Sequence, residues 1–318
     1  MARKLAVLDD YQSVARGFAP WHELEDLGIQ ATFFAEHLGG EDAVVEHLRG
    51  FEIVVAMRER TPFPRSVLER LPGLQLLVTT GMRNAAIDLD AARDLGITVS
   101  GTAGSAGAAA ELSWALLMAT VRGIPAQDAS LRAGGWQLAP GIELGGRSLG
   151  ILGLGRIGRA MAGYAHAFGM EVLAWSPNMT AERAAEAGVE PVDRAELFDR
   201  SDIASIHLRL SEQYRGIVGA DELRRLGPHG YLINTARGPL VDEAALVAAL
   251  EQGLIAGAGL DVYDREPLPP GSALLRAPRT VLTPHIGYVT EEAYRVFYGE
   301  ACDDVRAWAA GSPVRLLN

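Results

Sequence analysis

The chain has 318 residues, enough for two domains with buried cores, because a single core stops growing at roughly 250 to 300 residues. Its 40 Asp and Glu outnumber its 29 Lys and Arg, and an acidic surface repels phosphate backbones and anionic lipids, so neither a nucleic acid nor a membrane is expected as a partner. Its one cysteine, Cys302, cannot form an internal disulfide or build a zinc site, and we therefore expect a cytoplasmic protein without a metal centre.

The first third of the chain contains five short apolar runs, separated by segments with helical spacing. The corresponding predicted strands are LAVLD from Leu5, ATFF from Ala31, EIVVAM from Glu52, LQLLVTT from Leu74 and ITVSG from Ile97. Strands that alternate with helices are typical of repeated βαβ units, so an α/β protein with parallel sheets is expected. The first run is cut off by Asp9, too early for a signal peptide.

A second series of strands follows a tract of small residues that begins at Gly101. This tract leads into the apolar helix ELSWALLMATV, which we expect to connect two domains. The predicted strands of the second series are SLGILG from Ser148, EVLAW from Glu171, IASIHL from Ile203, GYLINT from Gly230, GAGLDV from Gly257 and TVLTP from Thr280. The segment from Glu291 to Ala310 has apolar residues at helical spacing and predicts one amphipathic helix.

A glycine motif lies at the start of the second series. Gly153, Gly155 and Gly158 have the spacing G-x-G-x-x-G, directly after a predicted strand and before an Ala-rich helix. In a dinucleotide-binding fold these glycines allow a tight turn, close approach of a pyrophosphate and helix–strand packing, while the helix N-terminus attracts negative charge. Because the motif alone has low specificity, a glycine-rich turn without a ligand stays open as an alternative.

Ser176 stands at the end of the next predicted strand, about 20 residues on, where an acid normally binds the ribose hydroxyls of NAD. Asp or Glu there would repel the extra phosphate of NADP, and serine removes that repulsion. Arg183, on the following helix, is either a partner for such a phosphate or a solvated helix residue. The predicted cofactor is therefore NAD or NADP, with neither excluded.

Three charged residues, Arg237, Glu266 and His285, follow second-series strands, where open parallel sheets bind ligands. An arginine there can grip a carboxylate with two parallel hydrogen bonds, and its alternative role is a surface ion pair. Histidine is suited to proton transfer near neutral pH, although a lone histidine is often structural. Singly, none of the three residues decides the function.

The three residues lie in N-x-A-R-G, G-L-D-V-x-x-x-E-P and T-P-H-I-G, in this order and spacing, and the chain thereby resembles the D-isomer-specific 2-hydroxyacid dehydrogenase family. TTGMRNAAIDLDAA from Thr79 is similar to that family's substrate loop, and AAELSWALLMA to its inter-domain helix. The resemblance implies two doubly wound parallel-sheet domains, usually in a homodimer. These are a flavodoxin-like substrate domain of residues 1–100 and 288–318, and a Rossmann NAD(P)-binding domain of residues 101–287.

The same resemblance implies hydride transfer between NAD(P)H and C2 of a 2-oxo acid, with a D-2-hydroxy acid as the reduced product. It makes His285 the proton donor to the carbonyl, Glu266 its partner, and Arg237 the residue that binds the substrate carboxylate and carbonyl oxygen. These roles agree with physical chemistry, because a carboxylate beside an imidazole fixes its tautomer and keeps a proton available. Neutral His285 would be the base in the reverse direction.

The resemblance also implies further contacts. The implied cofactor-binding residues are Gly153, Gly155, Arg156, Ile157, Gly158, Ser176, Leu208, Arg209, Thr235, Ala236, Asp261 and Gly287. The implied substrate-binding residues are Gly81, Met82, Arg83 and Arg237. Arg58 and Thr61, at the end of a first-domain strand, are either substrate-facing or structural.

The sequence departs from the family pattern at two positions. Arg209 stands where the family usually has a proline, and Ser176 where it commonly has an acid. Arg209 adds a positive charge near the cofactor, which suits a phosphorylated ribose, unless a nearby acid pairs with it. Both departures bear on cofactor choice.

Other functions fit parts of the sequence to different extents. Hydrolases are disfavoured, because the sequence has neither an H-E-x-x-H pair nor a G-x-S-x-G motif. Formate dehydrogenases of the family have glutamine in place of Glu266, whereas phosphite dehydrogenases keep all three residues and stay open. A dinucleotide-sensing, corepressor-like binding protein keeps them too. The side chain of the acid is not specified, so glyoxylate, hydroxypyruvate, pyruvate and larger 2-oxo acids all fit.

Overall fold

The computed structural model describes residues 2–105 and 107–318. The chain divides into two compact units, a first unit of Met1–Ala106 and Val289–Asn318, and a second unit of Gly107–Tyr288. The sequence placed these boundaries at 100 and 287, six and one residues earlier. Gly101 and Thr102 belong to the first unit because their amides donate to the carbonyls of Arg315 and Thr79.

The first unit contains a five-stranded parallel sheet with the order β2-β1-β3-β4-β5. Its strands are β1 (Arg3–Val7), β2 (Ile29–Phe33), β3 (Ile53–Ala56), β4 (Leu76–Thr79) and β5 (Thr98–Gly101). All residues of β3 and β4 are buried, as expected for central strands of a parallel sheet covered on both faces. The five predicted strands are therefore confirmed, in a flavodoxin-like order.

The second unit contains a seven-stranded parallel sheet with the order β12-β11-β10-β9-β6-β7-β8. Its strands are β6 (Ser148–Leu152), β7 (Glu171–Trp175), β8 (Glu190–Pro191), β9 (Ile203–Ile206), β10 (Tyr231–Asn234), β11 (Gly257–Leu260) and β12 (Thr280–Leu282). Six of them were predicted. The sequence missed β8, because its two residues are exposed and form no apolar run. The order from β8 through β11 is that of a Rossmann fold.

The described ranges contain twelve α-helices. They are α1 (Ala15–Phe18), α2 (Glu41–Leu48), α3 (Arg65–Leu68), α4 (Leu89–Asp94), α5 (Ala108–Val121), α6 (Ile124–Arg132), α7 (Arg156–Ala167), α8 (Ala181–Ala187), α9 (Arg194–Arg200), α10 (Ala220–Leu226), α11 (Glu243–Glu251) and α12 (Glu291–Ala309). Short 3-10 helices span Trp21–Leu27, Glu212–Tyr214, Gly238–Leu240 and Ala273–Arg276. No helix of the described residues is long and apolar enough to cross a membrane.

Helices cover both faces of the second sheet. Leu149 and Ile151 of β6 pack with apolar residues of α5 and α7, whereas Leu152 packs with those of α9, α10 and α11. Neighbouring residues of a strand point to opposite faces, so each strand contributes to both layers of the core. The helices thereby leave the carboxyl edge of the sheet as the place where loops can build a site.

The predicted C-terminal helix is α12, which packs against α1 and β4. Thr290 caps it by accepting a hydrogen bond from the amide of Ala293 (3.2 Å). The residues after α12 run along the edge strand β5, where Leu316 forms an antiparallel bridge with Ser100. The Asn318 side chain also bonds the backbone of β5, at the amide of Val99 (2.9 Å).

Candidate active site

The glycine turn follows β6 and leads into α7. Gly153 has a φ of +109°, and a β-carbon there would lie 2.8 Å from the carbonyl carbon of His207. Only glycine satisfies both constraints, so the turn lies close against the end of β9. Gly155 is the N-cap of α7 and provides no side-chain cap, which leaves the amides of the first turn for an anionic ligand. Gly158 is buried within α7.

Ser176 lies directly after β7, and its carbonyl accepts a hydrogen bond from the amide of Met179 (3.0 Å). Arg183 lies beside this loop rather than extending into solvent. Its Nη1 donates to the carbonyl of Asn178 (2.6 Å) and its Nη2 to the carbonyl of Leu154 (3.2 Å). Because Leu154 belongs to the glycine turn, Arg183 joins that turn to the loop that contains Ser176.

The segment after β9 forms the other side of the glycine turn. Leu208 is buried there, and Arg209 is exposed and has no ion pair with any described residue. No sequence motif points to His207, whose Nε2 lies 2.8 Å from the hydroxyl of Ser205. Burial lowers the pKa of His207 to about 4. The His207 imidazole, directly after β9, is therefore neutral at physiological pH.

Thr235, Ala236 and Arg237 follow β10. Asn234 shapes their loop, since its Oδ1 accepts from the amide of Ala236 (3.0 Å) and its Nδ2 donates to the carbonyl of Arg237 (3.0 Å). The Arg237 guanidinium donates back to the carbonyl of Ala236 (2.7 Å). The hydroxyl of Thr235 lies 2.5 Å from that of Ser113 in α5. No sequence motif points to Ser113 as a contact of this loop.

Asp261 lies directly after β11 and has no exposed surface. Its oxygens accept hydrogen bonds from the Thr283 hydroxyl (2.7 Å) and from the amides of Ile286 (2.8 Å) and Gly287 (2.9 Å). Burial raises the pKa of Asp261, and these hydrogen bonds oppose the rise. Asp261 thus holds the loop that contains His285, while its predicted contact with a cofactor stays a prediction.

Glu266 and His285 meet at the ends of the adjacent strands β11 and β12. Oε2 of Glu266 lies 2.5 Å from Nδ1 of His285, and Oε1 accepts from the amide of Tyr263 (3.0 Å). His285 has a φ of +53°, a left-handed conformation that costs a non-glycine residue about 1 kcal/mol. The hydrogen bonds of Asp261 to the next two amides hold the backbone in this conformation.

Tyr263 joins the loops of the three predicted catalytic residues. Its hydroxyl donates to the carbonyl of Thr283 (2.9 Å), two residues before His285. A β-carbon on Gly238, the neighbour of Arg237, would overlap the backbone of Tyr263. Burial, together with the charges of Asp261 and Glu266, raises the pKa of the Tyr263 hydroxyl. The structure therefore brings the Arg237, Glu266 and His285 loops into one packed cluster of the second unit.

The predicted substrate residues of the first unit lie at the carboxyl ends of β3 and β4. Gly81 follows β4, and Met82 and Arg83 are exposed. Nη1 of Arg58 donates to the carbonyl of Thr80 (3.0 Å). Thr61 is fully buried and donates to Oδ2 of Asp9 (2.8 Å). These contacts support a structural role for Thr61 rather than a substrate-facing one.

Residues 114–287 match the model of the family described as "D-isomer specific 2-hydroxyacid dehydrogenase, NAD binding domain". The matched residues contain the glycine turn, Arg237, Glu266 and His285. The chain belongs to the D-isomer-specific 2-hydroxyacid dehydrogenase family. The resemblance predicted from the sequence is therefore confirmed, and the second sheet belongs to the NAD-binding domain of the family.

Two curated relatives and one solved structure illustrate the similarity. A glyoxylate reductase of Korarchaeum cryptofilum is 35% identical over 283 residues, which cover 86% of this chain and 85% of that protein. A D-3-phosphoglycerate dehydrogenase of Archaeoglobus fulgidus is 34% identical over 86% of this chain, which spans only 52% of that relative. The crystal structure of a phosphoglycerate oxidoreductase from Vibrio cholerae superposes with a TM-score of 0.91, 37% identity and coverage of 97% and 99% of the two chains.

The second unit suits the NAD(P) cofactor of this family. The turn at Gly153 comes close to the end of β9, and α7 begins without a side-chain cap. Both features suit a bound pyrophosphate. Across the described ranges no three His, Cys, Asp or Glu side chains are grouped to hold a metal ion.

Proposed function

We propose that the chain reduces the C2 carbonyl of a 2-oxo acid to a D-2-hydroxy acid, and catalyses the reverse oxidation. The observation that carries this proposal is the 2.5 Å contact between Glu266 and His285, in a cluster that also contains the Arg237 loop. Family membership supports a nicotinamide-dependent dehydrogenase. When bound, the reduced nicotinamide supplies the hydride. The protein residues supply charge, orientation and the proton.

Arg237 is the proposed binder of the substrate. Its planar guanidinium offers two parallel N–H groups to a carboxylate, which fixes the acid in one orientation. The Asn234 hydrogen bonds and the contact of Gly238 with Tyr263 hold the Arg237 backbone. Oriented binding of this kind lowers the barrier because the reacting carbon no longer has to be positioned in the transition state.

His285 is the proposed acid and base. Because Nδ1 faces Glu266, Nε2 is the nitrogen that exchanges a proton with the substrate oxygen. In reduction, hydride adds to C2 while the imidazolium gives its proton to the carbonyl oxygen, leaving a hydroxyl and a neutral imidazole. In oxidation the neutral imidazole takes the hydroxyl proton. Glu266 holds Nδ1 of His285 in both directions.

The Gly81–Arg83 loop of the first unit remains a proposed substrate contact. Met82 is 45% exposed, and Arg83 is exposed with no ion pair in the described part of the chain. An arginine there would attract the anionic substrate, and a methionine side chain adapts its shape to different acids. We propose that these residues help to select the side chain of the 2-oxo acid.

We also propose a homodimer, which the family resemblance implies. α6 has no buried residue, and it continues into a segment without regular secondary structure. Large apolar side chains are exposed along both, namely Ile124 (52%), Leu131 (58%), Trp136 (73%) and Leu138 (60%). Several large apolar side chains exposed within one short stretch of chain are typical of an interface. Light scattering of the Leu131→Ser/Trp136→Ser variant should show the monomer mass, and an unchanged dimer mass would contradict this surface.

One panel of assays tests the proposed reaction. NADH and NADPH are each combined with glyoxylate, hydroxypyruvate, pyruvate and larger 2-oxo acids. Turnover is followed by the loss of absorbance of the reduced nicotinamide. At least one acid should be reduced, and His285→Ala should lose at least about 100-fold in kcat. Phosphite oxidation is the control for the phosphite dehydrogenase alternative.

The dependence of the rate on pH separates the two directions. Reduction needs protonated His285 and should weaken as pH rises, whereas oxidation of the hydroxy acid should gain. Identical profiles in both directions, or full activity of His285→Ala, would contradict the assignment. Dinucleotide binding without turnover of any acid would favour the sensing function over the enzyme.

A further inference from the structure

Three arginines near the glycine turn have no carboxylate partner among the described residues. Arg156 begins α7, Arg183 bonds the turn at Leu154, and Arg209 follows the segment that touches Gly153. None of the three forms an ion pair with a described residue. By contrast, Arg159, one turn further along α7, pairs with Glu186 (3.2 Å). The positive charge beside the turn is therefore not neutralised by protein acids, although the net charge of the chain is −11.

Arg183 is the best positioned of these arginines. Its two hydrogen bonds go to backbone carbonyls, one on each side of the space between the glycine turn and the loop after β7. Carbonyls orient the guanidinium but do not cancel its charge. A guanidinium has five N–H groups, so the remaining donors can bind an anion without loss of either carbonyl contact.

The loop after β7 has no acid to compete for this arginine. Its residues read Ser-Pro-Asn-Met from Ser176 to Met179. In Rossmann folds an acid at this strand end binds the 2′-hydroxyl of the adenosine ribose, whereas a nearby arginine accommodates a 2′-phosphate. Glu182 is the first acid that follows, and it bonds its own helix start at Thr180. The local chemistry is therefore that of a phosphate site.

We infer that Arg183 binds the 2′-phosphate of NADP(H) and that the chain prefers NADPH to NADH. The Ser176 hydroxyl can donate a hydrogen bond to the same phosphate. Arg209 and Arg156 add to the positive potential at this site. The inference rests on the proposed function only in that the glycine turn must bind a nicotinamide dinucleotide. Hydrogen bonds between ionised partners are roughly twice as strong as neutral ones, so loss of Arg183 should remove most of the preference.

Calorimetric titration with nucleotide fragments tests the site without any turnover. Adenosine 2′,5′-bisphosphate and AMP differ only in the 2′-phosphate. The wild-type protein should bind the bisphosphate at least about 10-fold more tightly than AMP, the equivalent of ~1.4 kcal/mol. Arg183→Ala should bring this ratio close to one while AMP affinity stays within about twofold. Arg159→Ala, which removes an arginine paired with Glu186, is the matched control and should leave the ratio unchanged.

A second variant covers the case in which Arg183→Ala does not fold. Ser176→Asp keeps Arg183 and introduces the acid that repels a 2′-phosphate, so it should shift the preference towards AMP and NADH. Equal wild-type affinity for the two fragments, or an unchanged ratio in both variants, overturns the phosphate site while leaving the proposed dehydrogenase intact. If neither fragment nor either dinucleotide binds, the proposed function fails together with the site.

Discussion

Oε2 of Glu266 lies 2.5 Å from Nδ1 of His285, although the two residues are 19 positions apart in sequence. The ends of β11 and β12 bring them together, and the remaining oxygen of Glu266 is held by the amide of Tyr263 (3.0 Å). A carboxylate fixed in this way occupies Nδ1 and leaves Nε2 as the nitrogen for the proposed proton exchange. It also places a negative charge beside the imidazole.

Replacement of Glu266 by glutamine should separate these two effects. The amide keeps the size of the side chain but loses its charge, so kcat for reduction should fall by about 10- to 100-fold at pH 8. Stopped-flow rates at about pH 8 measure this fall. Asp264→Asn, in the same loop, is the control, and a wild-type rate in Glu266→Gln would argue against the pairing.

Arg237 should not tolerate lysine. A lysine keeps the positive charge but cannot form two parallel hydrogen bonds with a carboxylate. Steady-state kinetics of Arg237→Lys should show kcat/KM lowered by at least about 100-fold, with a raised KM, for every 2-oxo acid that the wild-type protein reduces. Arg265→Lys tests an exposed arginine of the neighbouring loop and should be neutral. Comparable activity of Arg237→Lys and the wild type would mean that Arg237 provides charge alone.

Tyr263→Phe tests the connection between the Glu266 and His285 loops. The variant removes the hydroxyl that donates to the carbonyl of Thr283 (2.9 Å), which should lower the free energy of unfolding by ~1–2 kcal/mol. It should also lower kcat more than it raises KM, since the His285 loop is less firmly held. Urea unfolding and kinetics measure the two effects. Tyr231→Phe, in β10, is the control, because its hydroxyl forms no hydrogen bond with described residues.

Apolar runs made most of the fold predictable. Eleven of the strands follow such runs, whereas β8 consists of Glu190 and Pro191 and gives no signal of its own. It forms because Val192 donates to the carbonyl of Ala174 in the neighbouring strand β7. A strand of this kind depends on the sheet that is already present, and no local pattern of residues predicts it.

The candidate site was predictable to a smaller extent. The motifs identified Glu266 and His285, but they do not show that Asp261 holds the backbone after His285 or that Tyr263 bonds Thr283. Both contacts depend on the path of the 283–287 loop in space, and sequence spacing does not contain this path. Arg183 is a similar case, since its contact with Leu154 spans 29 residues and joins two loops.

Asp304 should make the stability of the protein depend on pH. Its side chain is fully buried in α12, where Arg315 donates to Oδ1 (2.9 Å) and Oδ2 has no hydrogen bond with any described residue. Burial raises the pKa of Asp304 from 3.8 to about 7, with Arg315 opposing the rise. Between these two values the folded chain binds more protons at this site than the unfolded chain, so the contribution to stability falls as pH rises.

The Asp304→Asn variant isolates this contribution, because an amide does not titrate. Relative to the variant, the wild-type protein should lose up to ~4 kcal/mol in its free energy of unfolding between pH 4 and pH 8, with most of the change below about pH 7. Urea unfolding of both proteins at a series of pH values gives the difference directly. Asp303→Asn, at the exposed neighbouring position, controls for the general effect of removing an acid. A constant difference between the wild type and Asp304→Asn would mean that the buried carboxylate keeps its ordinary pKa.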